Sequence, residues 1–304
     1  MNHRIFIGLL AASMAAIIGS GWQLATRHAV STTLGPVELA LLRYGIPAVM
    51  LAPIWIRRST VRSTVRRSTL ALLVIGSGLP FGMLVLAGAQ WAPASHMGIF
   101  MAGSMPLFTA LGAWAIRGDQ VKGLRLLGLL CIAFGMIVFA LNNLRGDSST
   151  WRGDVLFVSA AILWASYTLA FGQSGLTPWQ SAAVVNLWSA LLFLPAAFFF
   201  GVGKLFTAPW SDIVLQAFGQ GVLAGMVGLA VYGAAITRLG AARASLSAAL
   251  IPVLTTLGGA WLLDESITGG TVVALILVVP GVVMASGAFQ RQAAKVHAPS
   301  AVKQ

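Results

Sequence analysis

The chain is poor in almost everything from which a soluble enzyme is built. Only 9% of its 304 residues are charged while 58% are hydrophobic, and the mean hydropathy is +0.88. That leaves too little polar surface to cover a soluble globule. A single cysteine, Cys131, lies inside an apolar run and excludes a disulfide framework. Acidic residues number 7, and none falls near the middle of an apolar run, so the buried carboxylate that a proton-exchanging pump needs has no candidate. Phosphate-binding glycine loops, His/Cys/Asp metal spacings and a Ser-His-Asp set are missing as well. These absences speak against an enzyme and give no reason to expect a metal or a cofactor. The net charge of +12 sits in short gaps between apolar runs, which reads as membrane topology and not as a nucleic-acid stripe.

What is present in quantity suits lipid. There are 34 Gly and 10 Trp against only 3 Tyr, a bias that allows close helix packing and interfacial anchoring. Apolar spans are predicted at about residues 5–26, 36–56, 69–89, 94–116 and 123–141. Five more follow at about 154–172, 178–200, 211–235, 241–263 and 271–289. The first span, with Arg4 before it and Ser13-Met14-Ala15 within it, has the outline of a cleavable leader. Its run nevertheless continues to Ala25, long enough to cross ~30 Å of hydrocarbon, and a copy of it recurs in mid-chain.

That copy is part of a general repeat. Residues 245–265 repeat the plan of 99–119 at an offset of 146: Pro252 falls on Pro106, Thr255 on Thr109, Gly258 on Gly112 and Glu265 on Asp119. The register extends to Gly82 with Gly228 and to Gly135 with Gly281, and at an offset of 145 Gly8 meets Gly153. One unit is written twice, over residues 1–145 and 146–290, with 291–304 as a tail.

Lys and Arg then orient the chain. With the N-terminus in the cytoplasm, fourteen of the nineteen fall on that side and four, Arg27, Arg145, Arg152 and Lys204, on the other, with Arg43 inside a span. Both termini are thus expected in the cytoplasm. Five spans per unit is an odd number, so the units enter from opposite sides. The expected fold is an all-α integral membrane protein, ten transmembrane helices as two inverted five-helix repeats, with a site near the midplane between them.

Candidate site residues are the polar and aromatic groups that lipid cannot satisfy. Arg43 lies about 10 Å into the second span; it reads either as a structural arginine or as a cation for a substrate carboxylate. Trp22 and Gln23 offer an aromatic and a polar contact from the first span. Trp164 and Tyr167 share a helix face and read as bundle filling or as a cavity wall whose N–H and O–H need partners. Trp188 is also mid-span. Met101 belongs to a methionine stripe that packs the core or forms an adaptable wall. His96 titrates in the physiological range if free but equally reads as a satisfied interface residue, and Ser245 reads as a helix-to-helix hydrogen bonder. Gly82 and Gly228, in corresponding glycine-rich spans, and Pro106 and Pro252 are the expected points of flexing or breakage.

The run Pro106-Leu107-Phe108-Thr109 with Gly112, Gly118-Asp119 and Gly135, and its second copy from Pro252 through Asp264-Glu265 to Gly281, resemble the EamA-type domain. Gly153-Asp154 with Leu163-Trp164-Ala165-Ser166-Tyr167 is similar to the opening of that family's second domain, and Arg43 matches an arginine common in its second helix. The resemblance covers about residues 5–289 and implies a member of the drug/metabolite transporter superfamily. Asp119 departs from the glutamate usual at that point. A small-molecule exporter of a bacterial inner membrane is implied, with amino acids, the aromatic ones included, as the nearest substrate class. Proton-coupled multidrug efflux is the competing transporter, and a membrane scaffold or enzyme the competing class. The implied partners are the lipid bilayer and a small-molecule substrate, and a monomer suffices.

Overall fold

The computed structural model describes residues 3–56, 65–144, 149–245 and 247–287. The expected tail at 291–304, the unit boundary at 145/146 and the arginines Arg57, Arg58, Arg62 and Arg145 lie outside the described residues. Within them the chain is helical, without a strand. Eight helices are long and apolar enough to cross a membrane: α1 (His3–Ser31), α3 (Arg67–Trp91), α4 (Ala94–Arg117), α5 (Leu124–Asn143), α6 (Trp151–Ser174), α7 (Pro178–Phe200), α8 (Trp210–Leu239) and α9 (Ala241–Leu262). Two of the expected spans come out differently. Helix α10 (Gly269–Ala285) has 17 residues, and α2 is split at Leu51 into Pro36–Met50 and Ala52–Ile56, where Pro53 lacks the N–H that would bond the Val49 carbonyl.

The helix starts follow capping chemistry. Pro36 occupies the first turn of α2, where its missing N–H is no loss, and Glu38 Oε2 accepts from the N–H of Gly35 at 3.1 Å. Thr177 and Gln180 cap α7 reciprocally, at 3.3 and 2.8 Å. Phe198, Phe199 and Phe200 are 78–86% exposed and Trp261 83%. An outer surface so apolar is stable only against lipid.

The packing alternates between the units. Helix α1 lies against α8 and α9, while its counterpart α6 lies against α3 and α4; α5 pairs with α10, and α2 with α7 and α8. The α5–α10 contact is backbone on backbone: a Cβ on Gly128 would sit 2.5 Å from the Ala285 nitrogen.

Besides α2, four helices are irregular, and they correspond in pairs. Helix α3 breaks at Gly78, ahead of Leu79-Pro80; Leu79 N donates across to Ser189 Oγ at 3.0 Å, and Gly78 O, which keeps its helical bond from Gly82 N at 2.9 Å, also accepts from the Tyr44 hydroxyl at 2.7 Å. Its counterpart α8 carries a π-helical stretch over Ala217–Gly228, which an offset of 146 lays on 71–82. Helix α4 is π-helical over Met97–Ala102, and its counterpart α9 is interrupted at Ser245, which the same offset lays on Ile99. The expected breaks at Pro106 and Pro252 are therefore displaced. Pro106 opens the regular part of α4, where a proline is favoured, and Pro252 lies inside a continuous helix.

The two ends of the bundle differ in charge. One end joins Arg27 to Glu265, Thr33 to Asp212, the Lys204 amide to Glu38 and His96 to Asp154; it is the acid end. The other joins Arg4 to Thr237 and Arg125 to Ala285 and also carries Arg117, Lys122, Arg238 and Arg243; it is the basic end.

Candidate functional site

Between the units lies a cavity walled by Ala15, Gly19, Trp22 and Gln23 of α1, Arg43 of α2, Phe81 of α3, and Met101 and Met105 of α4. Trp164 of α6, Gly228, Leu229 and Tyr232 of α8, and Ser247 and Ile251 of α9 complete it. Counting the space at its mouth it encloses about 550 Å³, of which about 60 Å³ admits the centre of a water molecule. That is room for a few waters and falls short of the ~300–1,000 Å³ of ligand pockets. The unbranched side chains of Met101 and Met105 make that part of the wall adaptable.

Arg43 dominates the electrostatics. It is 5% exposed, and its guanidinium lies 4.2 Å from the centre of the Trp22 ring and 5.6 Å from that of Tyr44. Three ion pairs exist among the described residues, and Arg43 is in none of them. Its Nε and Nη1 are buried without an acceptor. A desolvated charge costs several kcal/mol, which a cation–π contact of about 2 kcal/mol or more offsets in part. The Tyr44 hydroxyl also interacts with the guanidinium, and Nε and Nη1 are left without an acceptor among the described residues. Two further unpartnered buried atoms line the same cavity, Gln23 Oε1 and Trp164 Nε1. The latter lies near the Tyr232 hydroxyl but completes no hydrogen bond of normal geometry.

Trp22 is held by a glutamine relay. Its Nε1 donates to Gln220 Oε1 at 2.6 Å, Gln220 Nε2 donates to Thr26 Oγ1 at 2.9 Å and to Gln216 Oε1 at 3.2 Å, and Gln216 Nε2 donates to Ala25 O at 3.0 Å. Satisfied in this way, the indole is fixed with its face to Arg43. Gln216 and Gln220 escaped sequence reasoning. Their signal was an i, i+4 pair of amides in an otherwise apolar run, which on a regular helix marks one polar stripe.

The opposite wall is aromatic. Phe81 bridges Trp22 and Trp164, with ring centres 6.0 and 5.0 Å apart, and Trp164 packs on Tyr232 at 5.3 Å. Tyr167 sits behind Trp164 at 5.4 Å, fully buried, with its hydroxyl 3.4 Å from Ser181 Oγ. It supports the wall and does not line it. Phe81 and Tyr232 were not among the sequence candidates; an aromatic residue in an apolar span carries no signal of the direction it faces.

Several candidates lie elsewhere. Trp188, 44% exposed on the outside of α7, does not reach the cavity: a central position along a span does not fix which face a residue takes. His96 is at the acid end, its Nδ1 2.7 Å from Asp154 Oδ1 and its ring 4.7 Å from Phe139. Ser245 donates to Ala242 O at 2.7 Å and, with Pro106, lines a second cavity at the basic end, which counted in the same way encloses about 840 Å³, of which about 320 Å³ admits the centre of a water molecule, walled also by Thr109, Arg117, Asp119, Gln120, Arg125, Ala241 and Ala242. Gly82 lies outside both cavities, where a Cβ would strike the Tyr44 hydroxyl at 2.0 Å. Pro252 packs under Gly98. Trp22, Gln23, Arg43, Met101, Trp164 and Gly228 are the candidates brought together.

Comparison with known proteins gives this geometry a context. The EamA-like transporter family matches twice, over residues 6–141 and 151–287. A probable amino-acid metabolite efflux pump of Escherichia coli K12 is 27% identical over 241 residues, covering 74% of this chain and 80% of the pump. One of the same description from Salmonella typhimurium LT2 is 25% identical, covering 69% and 74%. An uncharacterised protein of Pseudomonas aeruginosa is 29% identical over 91% of this chain and 93% of its own length. A solved crystal structure superposes with a TM-score of 0.65 at 20% identity, covering 95% of this chain and 98% of the other, which speaks for the fold alone.

Proposed function

Starting from the chain's membership of the EamA-like transporter family, which covers both of its halves, we propose that it exports amino acids or closely related amphipathic metabolites through the cavity around Arg43. The observation that carries this reading is the Arg43 guanidinium, buried and without a carboxylate among the described residues. A substrate carboxylate completes it by a charge-assisted, bidentate hydrogen bond. Gln23 Oε1 is an acceptor without a donor and suits an ammonium group. The apolar or aromatic side chain of the substrate then lies against Phe81, Trp164 and Met101. One cation and one acceptor select a zwitterion over a lipophilic cation, which Arg43 repels. The efflux function in the names of two relatives agrees with this chemistry.

Transport proceeds by alternating access, one unit rocking against the other around the fixed cavity. The basic end faces the cytoplasm, following the excess of Lys and Arg there. With no carboxylate in the cavity wall, substrate runs down its own gradient without a coupled proton. The test is exchange in liposomes holding purified protein and a panel of labelled amino acids. Saturable counterflow with no imposed ΔpH or voltage is the expected result. Failure of every amino acid to exchange, or a strict need for a proton gradient, contradicts the reading in substrate or in coupling respectively.

A further inference from the structure

The offset that lays Asp119 on Glu265 pairs two carboxylates, one at each end of the bundle, and they are engaged very differently. At the acid end Glu265 Oε2 accepts from the N–H of Ala94, the first residue of α4, at 2.9 Å, and Oε1 accepts from Arg27 Nε at 3.0 Å. Arg27 Nη1 in turn donates to Ala89 O at 2.6 Å. One carboxylate thus ties the α9–α10 turn to the end of α1, the end of α3 and the start of α4, which come from both units. At the basic end Asp119, among the described residues, accepts only from its near neighbour Arg117, at 2.9 Å, with its side chain 53% exposed. It lines the second cavity, and the wall of that cavity includes Ala241 and Ala242, the first residues of α9. The offset of 146 lays Gly240 on Ala94, so the start of α9 is the counterpart of what Glu265 holds. The leading N–H groups of a helix have no acceptor within it.

We propose that Asp119 is the basic-end counterpart of the Glu265 latch: when the acid end opens, Asp119 leaves Arg117 and accepts from the leading N–H groups of α9, closing the second cavity. The structure then represents one of two states, acid end latched and basic end open. Gly118, in the left-handed region at φ 69°, is the pivot directly before Asp119. Carboxylate-to-amide hydrogen bonds hold both states, and the acid end adds the Arg27 ion pair, so the state seen here is the favoured one of the two that a carrier must visit. Asp119 is one methylene shorter than Glu265, which tilts the balance toward the state seen here. Neither the family match nor any relative's description speaks of this pair, and the proposal rests on the alternating-access reading.

The test needs no substrate. A Ser247→Cys reporter in the central cavity, in full-length protein carrying Cys131→Ser, is labelled in vesicles with a membrane-impermeant thiol reagent applied to each face in turn. The acid-end face is expected to label slowly. Glu265→Gln raises that rate and Asp119→Asn lowers it, each by about tenfold, the equilibrium shift of one charge-assisted hydrogen bond; Asp119→Glu, with its longer reach, raises it. An acid-face rate that responds to Glu265→Gln but not to Asp119→Asn or Asp119→Glu overturns the latch and leaves alternating access standing. Labelling from neither face, or equally fast from both in every variant, overturns alternating access and the latch with it.

Discussion

Arg27 and Arg43 lie in consecutive helices, and both are withdrawn from water, yet they answer the demand of a buried charge in opposite ways. Arg27 finds everything within the chain: the Glu265 carboxylate at 3.0 Å and the Ala89 carbonyl at 2.6 Å. Arg43, the more buried of the two, finds two aromatic faces and no acceptor for Nε or Nη1. A buried arginine with its partners fixes structure, whereas one without them keeps a place for a partner that comes and goes. Position along a span, which is all that sequence offers, does not separate the two cases; the groups that touch each guanidinium do.

The largest expected effect comes from removing the unpartnered charge. Arg43→Gln should cut the exchange of carboxylate-bearing substrates by about a hundredfold, the scale of losing one buried charge pair. It should leave thermal stability unchanged or higher, since an uncompensated buried charge disappears. Labelled exchange in liposomes and unfolding in detergent measure the two. The comparison breaks if stability collapses as it should when a satisfied arginine is removed. Arg27→Gln supplies that contrast, leaving Glu265 without its cation and lowering stability by about 1–3 kcal/mol.

Next comes the aromatic wall. Trp164→Ala should reduce exchange by about tenfold at equal membrane abundance, since it deletes the ring that links Phe81 to Tyr232 and lines the central cavity. Trp188→Ala, on the outside of α7, should change it by less than about twofold. Equal effects would mean that Trp164 only fills space. Smaller again is the support of Trp22: Gln220→Leu removes the acceptor of its indole N–H and should slow exchange by a few-fold, chiefly through weaker substrate affinity. A concentration series that shows only a lower maximal rate would argue against a positioning role.

The architecture was readable because it is periodic. The twofold register and the long apolar runs needed only spacing, and Arg43, Trp22, Gln23 and Trp164 stood out because lipid leaves such groups unsatisfied. What was hidden is mostly a matter of helix phase. Trp164 and Trp188 are both mid-span tryptophans, and only packing turns one inward and the other to lipid. The π-helical stretches of α4 and α8 alter the phase further, because each widened turn rotates every later residue relative to a regular helix. That is why Tyr232, which follows the π-helical stretch of α8, could not be placed. His96 and Asp154, read separately, gave no hint of meeting from two different units.

The central claim, that Arg43 reads a carboxylate, is tested most directly by competition between an amino acid and its amide, which differ at that group alone. Binding to purified protein, followed through tryptophan fluorescence, should favour the acid over the amide by about a hundredfold in the wild type, and Arg43→Gln should bind the two within about twofold of each other. An Arg43→Gln protein that still prefers the acid by the wild-type margin would place carboxylate recognition elsewhere and contradict the account.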